Sequence, residues 1–167
     1  MNLYLRLLYL LLKSWRSKRL QPLDTSIINM RVWINDLDLN RHMNNGRFLT
    51  IMDLGRMDLL KRTGTLKMAV ANRWMPIVGT ASMEFLRPLK FAQQYELHSR
   101  ISSWDDKWFY LEQIFYSRDK IIAVGKIKGL LRGKSGNVSP DHIMQQLSPG
   151  ITSPTEAQEN NHDSKIS

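Results

Sequence analysis

Between Ser26 and Leu131 the hydrophobic period changes from two to about 3.6 and back to two, and it does so once. Ser26 to Ile34 alternates, with Ile28, Met30, Val32 and Ile34 facing one way, as a half-buried strand requires. From about Asn45 to Arg62 the residues Phe48, Ile51, Met52, Gly55 and Leu59 share one helical face, and Gly64 suits a C-terminal stop. Four strand-like segments follow: residues 73–87, Tyr95 to Ile101, the aromatic-rich Trp108 to Tyr116, and Ile121 to Leu131. Asp105-Asp106 and Arg118-Asp119 fall where tight hairpin turns are expected, and Ser139-Pro140 opens a short helix. The order predicts an α+β domain: an antiparallel sheet with one face against one long helix. Such a sheet leaves an edge and an unfilled side, so pairing of two copies is physically attractive.

The ends of the chain differ from this middle. Leu3 to Leu12 is apolar except for Arg6, and Arg6, Lys13, Arg16, Lys18 and Arg19 give the first 22 residues five positive charges and no acid. The apolar run is too short to span a bilayer, which takes ~20 residues, and no small-x-small cleavage site follows it. We read residues 1–21 as a basic, apolar helix. It is expected to pack on its own domain or at a dimer interface, to lie on an anionic lipid surface, or to act as a cleaved or uncleaved membrane signal. Residues 22–147 form the folded domain, and the Ser-, Pro-, Thr- and Asn-rich residues 148–167 are expected to be disordered. Net charge is +9, which favours anionic partners.

Between the first strand and the helix lies Asn35-Asp36-Leu37-Asp38-Leu39-Asn40-Arg41-His42-Met43-Asn44-Asn45-Gly46. Acid, base and amide groups are thereby gathered at a helix N-terminus, where free backbone N–H groups favour developing negative charge. That equipment suits attack on a carbonyl. With no cysteine in the chain, disulfides, zinc-thiolate sites and thiol nucleophiles are excluded. The four histidines, at 42, 98, 142 and 162, are too scattered to suggest a metal set, and no cofactor is implied. No nucleic-acid-binding motif appears.

The pattern Asp36-x-Asp38-x-Asn40-x-His42-x-Asn44-Asn45-x-x-Phe48, set in this element order, resembles the hotdog-fold thioesterases. It is most similar to the 4-hydroxybenzoyl-CoA-thioesterase-like group, in the branch named for thioesterase superfamily member six. Its Asp-x-Asn-x-His core also resembles acyl-ACP thioesterases. Family members commonly carry Tyr where Phe48 stands. The hotdog dehydratase pattern, His and Gly ahead of a Pro, is not visible. The resemblance implies a hotdog fold, a sheet wrapped around the central helix. It further implies a homodimer or dimer of dimers with acyl-CoA or acyl-ACP sites between subunits, in a cytoplasmic protein of fatty acid metabolism. Peripheral contact with the inner membrane face is expected from the leader.

On that basis Asp38 is expected to attack the thioester carbonyl or to activate water; alone, an Asp here would be read as a turn or cap residue. His42 would polarise water or orient the carboxylate, or simply be satisfied in the turn. Asn40 would orient water or substrate, or form the turn. Asn44 and Asn45 would cap the helix, with the N–H of Asn45 or Gly46 holding the thioester oxygen and Gly46 allowing close approach. Asp36 is expected to solvate or cap the turn. Asp53, nine residues after Asn44, is the reserve catalytic candidate, because another hotdog subgroup carries its carboxylate at this helical place. Its plain role is an exposed partner for Arg56. A noncatalytic acyl-thioester or lipid-binding protein is the alternative function.

Overall fold

The computed structural model describes residues 5–8, 12 and 17–154. Strand β1 (Ser26–Arg31) leads through a 3-10 turn (Ile34–Asp36) into the long helix α1 (Asn45–Thr63) and the short helix α2 (Thr65–Ala71). Strands β2 (Met75–Phe85), β3 (Gln94–Trp104), β4 (Phe109–Ser117), β5 (Lys120–Gly133) and β6 (Gly136–Val138) follow, and helix α3 (Pro140–Leu147) closes the fold. The sheet order is β1-β3-β4-β5-β2, with β6 paired to the far end of β5, and every pair is antiparallel. This is the expected α+β arrangement.

α1 crosses one face of the sheet. Phe48, Ile51, Met52, Gly55 and Leu59 are buried there, as the helical period predicts, against Leu97, Ile101, Phe109, Leu111, Phe115 and Ile127. The helix lies close because Gly55 has no side chain: a Cβ there would meet Ser99 Oγ at 2.6 Å and Leu97 at 2.7 Å. Gly64, at φ 88°, ends the helix in the left-handed conformation expected of a C-terminal glycine. Arg118 and Asp119 both take positive φ, the two-residue hairpin geometry that keeps β4 and β5 in register.

Several elements, the short β6 among them, depart from the sequence reading. β1 stops at Arg31, and Ile34 is exposed on the 3-10 turn, because Val32 already bonds the Gln93 carbonyl and the chain must turn toward α1. α2 was not expected: Gly64 breaks the helix, but Thr65–Ala71 resumes it and buries Thr65 and Ala69. β2, expected to bury one face, is exposed on nearly all its length, since it is the outer strand of the sheet. The packed chain also runs past Leu147. Ser153 Oγ accepts the Trp104 N–H and donates to the Trp104 carbonyl, each at 2.8 Å, and Ile151 packs against the core. Residues 155–167, most of the expected tail, lie outside the described residues.

Of the expected N-terminal helix, residues 5–8 and 12 are helical. Leu5, Leu8 and Leu12 point to solvent while Arg6 is buried. Lys18 and Leu20 are tied to the end of α1 through Arg62 Nε to the Lys18 carbonyl and Leu20 N–H to the Arg62 carbonyl. Among the described residues no helix is long and apolar enough to cross a membrane.

Candidate active site

Residues 36–44 form a small closed hairpin whose two limbs meet at an antiparallel bridge between Leu37 and Met43. The Asp38 N–H donates to the His42 carbonyl at 2.8 Å, and Arg41 N–H donates to the Asp38 carbonyl at 3.1 Å. Arg41, at φ 60°, takes the left-handed tip position. The Asp38 side chain completes the turn: its Oδ1 accepts the Asn40 N–H at 2.8 Å and the His42 N–H at 3.3 Å. This is the turn role that an Asp alone would suggest. It uses one carboxylate oxygen. Among the described residues Oδ2 of Asp38 accepts no hydrogen bond. Asp38 and His42 are half-buried and Asn40 is exposed, so all three are brought to one turn.

The turn is fixed on both limbs. On one side Met43 N–H donates to the Leu89 carbonyl at 2.8 Å and His42 bridges Lys90, tying the loop to the β2–β3 connection. On the other, Asp36 is a buried hub, 1% exposed. Its Oδ2 accepts the Trp33 N–H at 2.8 Å and pairs with Arg6, its Oδ1 faces Arg47 at 3.6 Å, and its carbonyl accepts the Asn44 N–H at 2.8 Å. Of the two roles expected for Asp36, its side chain caps the 3-10 turn by accepting the Trp33 N–H, and the solvating role is corrected because the residue is buried. No local pattern signalled its burial, because the strand has ended before it and Ile34, at the same parity, is exposed on the 3-10 turn. Its partner Arg6 lies 30 positions away and gave no signal either.

Asn44 caps α1: its Oδ1 accepts the Gly46 N–H at 2.8 Å. That engages one of the two donors expected for a thioester oxygen. Asn45 N–H, at the first helical position, has no partner among the described residues. A Cβ at Gly46 would stand 3.2 Å from Asn44 Oδ1, tight enough that the capping side chain would have to shift.

Asp53 is not with this group. It sits ~12 Å further along the helix axis, exposed, and pairs with Arg56 one turn on, its plain expected role. Arg56 reaches inward: it donates to Gln113 Oε1 at 3.0 Å, and the buried Gln113 amide donates to the Met52 carbonyl and to Ser99 Oγ. Burial lowers the Arg56 pKa, opposed by the charge of Asp53. Beside this pair a cavity of about 300 Å³ opens between α1, the sheet face and β2. Its walls include Asp53, Met57, Leu60, Ile77, Phe109 and Ile127, and none of Asp38, Asn40 or His42 lines it. Of the aromatic residues in the sheet segments, Phe109 lines the cavity, Trp104 is core, and Trp108 lies against Gly79 with Lys107 and Lys128 over its ring. No cluster of three metal-ligating side chains occurs among the described residues.

Residues 32–147, from the end of β1 through α3, match the thioesterase-like superfamily. The chain belongs to this family. Within it, the chain is similar to the zebrafish (Danio rerio) Protein THEM6, 35% identical over 72% of this chain and 59% of that protein. It is also 28% identical to the thioesterase lcsJ of Purpureocillium lilacinum, over 55% of this chain and 36% of that one. The chain spans less than two thirds of the length of the curated relatives it matches. The crystal structure of YbaW, a probable thioesterase from Escherichia coli, superposes with a TM-score of 0.68 at 17% identity, over 74% of this chain and 96% of that one. The fold is thus the hotdog fold of this thioesterase-like family, with the polar hairpin at the start of its central helix.

Proposed function

We propose that this chain is an acyl thioesterase that hydrolyses acyl-CoA, or acyl-ACP, to free carboxylic acid and thiol. The observation that carries the reading is the divided carboxylate of Asp38: one oxygen builds the turn, the other has no protein donor and stands at the start of α1 in a member of a thioesterase-like family. That oxygen attacks the acyl carbon, giving an anhydride that water then cleaves to the free acid and the Asp38 carboxylate, or it takes the proton of the attacking water. The carbonyl oxygen gains charge and is met by the N–H of Asn45, a donor already oriented and unused. The thiolate leaves without strong acid assistance, since thiols ionise at about pH 8.5. His42 and Asn40 orient water and the carbonyl group. Lys90, bridged to His42, sets a cation beside the turn, where the phosphates of CoA or an acidic carrier would lie.

The acyl group takes the apolar cavity under α1, which reaches the hairpin in a homodimer, or dimer of dimers, whose copies meet along β2. Met75, Ile77, Val78 and Phe85 leave an exposed apolar outer strand there, the form of edge that pairing covers. Leu5, Leu8 and Leu12 form one exposed apolar face amid a basic segment, suited to peripheral contact of a cytoplasmic protein with anionic lipid at the inner membrane face.

A second reading gives the carboxylate role to Asp53, because Asp53 lines the cavity and Asp38 does not. The experiment is thiol release by the purified chain across a saturated acyl-CoA series from butanoyl to palmitoyl, repeated with Asp53→Asn. Turnover retained in Asp53→Asn supports Asp38; turnover abolished there transfers the role to Asp53. Stoichiometric acyl-CoA binding without turnover in the unmodified chain establishes the binding protein instead.

A further inference from the structure

We infer that Arg6 is a positioning residue for the site hairpin: its guanidinium, buried against Asp36, holds residues 36–44 in the geometry that presents Asp38. The inference rests on the reading of Asp38 given above. The N-terminal helical turn buries Arg6 more deeply than any of its described leucines, Leu7 being only partly buried against the core. Arg6 is 2% exposed while Leu5 is 56% and Leu8 53% exposed. A leucine turned inward at that position would gain from burying its apolar surface. Burying a guanidinium has no such return, so a specific contact sets this orientation.

That contact is with Asp36 Oδ2, at 2.5 Å. The same oxygen accepts the Trp33 N–H, and the Asp36 carbonyl accepts the Asn44 N–H that brings in the cap of α1. One side chain therefore separates Arg6 from both ends of the hairpin. Arg47, the other cation on Asp36, stands further off at 3.6 Å and spends two nitrogens on the Asn35 carbonyl.

Stability does not account for the pair. Desolvation of two charges offsets most of their attraction. Two polar atoms beside it, Arg6 Nε and the Tyr95 hydroxyl, are buried with no partner among the described residues, which is unfavourable. Burial raises the Tyr95 pKa, with Arg6 opposing and Asp36 reinforcing, so all three groups share one poorly solvated site. What the pair supplies is direction: a carboxylate held between two guanidinium groups fixes the hairpin's first limb as the Leu89 and Lys90 contacts fix its second.

The test uses the full chain with Arg6→Met, Arg6→Lys and Arg6→Ala. Amide hydrogen exchange in the unliganded protein is expected to rise about tenfold in residues 36–44 of Arg6→Met, with β3, β4 and β5 unchanged. In thiol release from the best acyl-CoA of the series, kcat falls ~10–100-fold with KM nearly constant. Arg6→Lys recovers part of the rate, and added guanidinium restores Arg6→Ala. Exchange unchanged in the hairpin, or rising equally across the whole sheet, overturns the inference, as does a rate loss that neither Lys nor guanidinium repairs. If the unmodified chain shows no turnover, the hydrolase reading fails by itself and the exchange comparison alone decides the role of Arg6.

Discussion

Asp38 builds the turn with one oxygen, and the role proposed for the other can be separated from it by substitution. Asn keeps an Oδ1 that accepts the Asn40 and His42 amides and replaces only the oxygen with no protein donor. We predict that Asp38→Asn melts within a few degrees of the parent, whereas Asp38→Ala loses the turn bonds and about 1 kcal/mol, read from denaturant midpoints. Asn44→Ala removes the acceptor for the Gly46 amide and should also lose ~1 kcal/mol, by the same measurement. Both residues were legible because their partners are two to four positions away. Asp36 was not: its burial is decided by Arg6 and by where the chain turns after Val32, and a local pattern carries neither. Asp58 is a parallel case, buried in α1 because Ser26 on β1 donates to it at 2.5 Å.

At the scale of elements, α1 is where the sequence spoke most clearly, and its glycine shows why. Gly55→Ala would gain up to about 1 kcal/mol in helix propensity. The new methyl meets Ser99 Oγ at 2.6 Å and Gln113 Nε2 at 2.9 Å, so we predict a net loss of ~1–2 kcal/mol in chemical denaturation. The β3–β4 turn makes a pH prediction. Asp105 Oδ1 accepts the Lys107 and Trp108 amides and Oδ2 accepts the Tyr110 hydroxyl, bonds that hold its pKa below the usual carboxylate value. A depressed folded pKa stabilises above the unfolded value, near 3.9, and that contribution disappears as pH falls through the lower folded one. Exchange of the Lys107 and Trp108 amides should therefore accelerate in acid, and Asp105→Asn should flatten that response. α2 and β6 escaped the sequence reading because each is short and sits beyond a glycine, where propensity alone points to a break.

At the scale of the molecule, residues 73–87 were expected as a strand of a sheet with one face against the helix, yet within one chain β2 is an outer strand exposed on nearly all its length. Period two reports that a strand wants a partner and is silent on which chain supplies it. We predict a dimer by light scattering, and a monomer for Val78→Asp, which sets a charge on the outer strand beside the cavity. The measurement that bears most directly on the whole account is steady-state thiol release from the acyl-CoA series by the unmodified chain and by Asp38→Asn. The account predicts sustained turnover that drops at least ~100-fold in Asp38→Asn at an almost unchanged melting temperature. Turnover surviving in Asp38→Asn would contradict it.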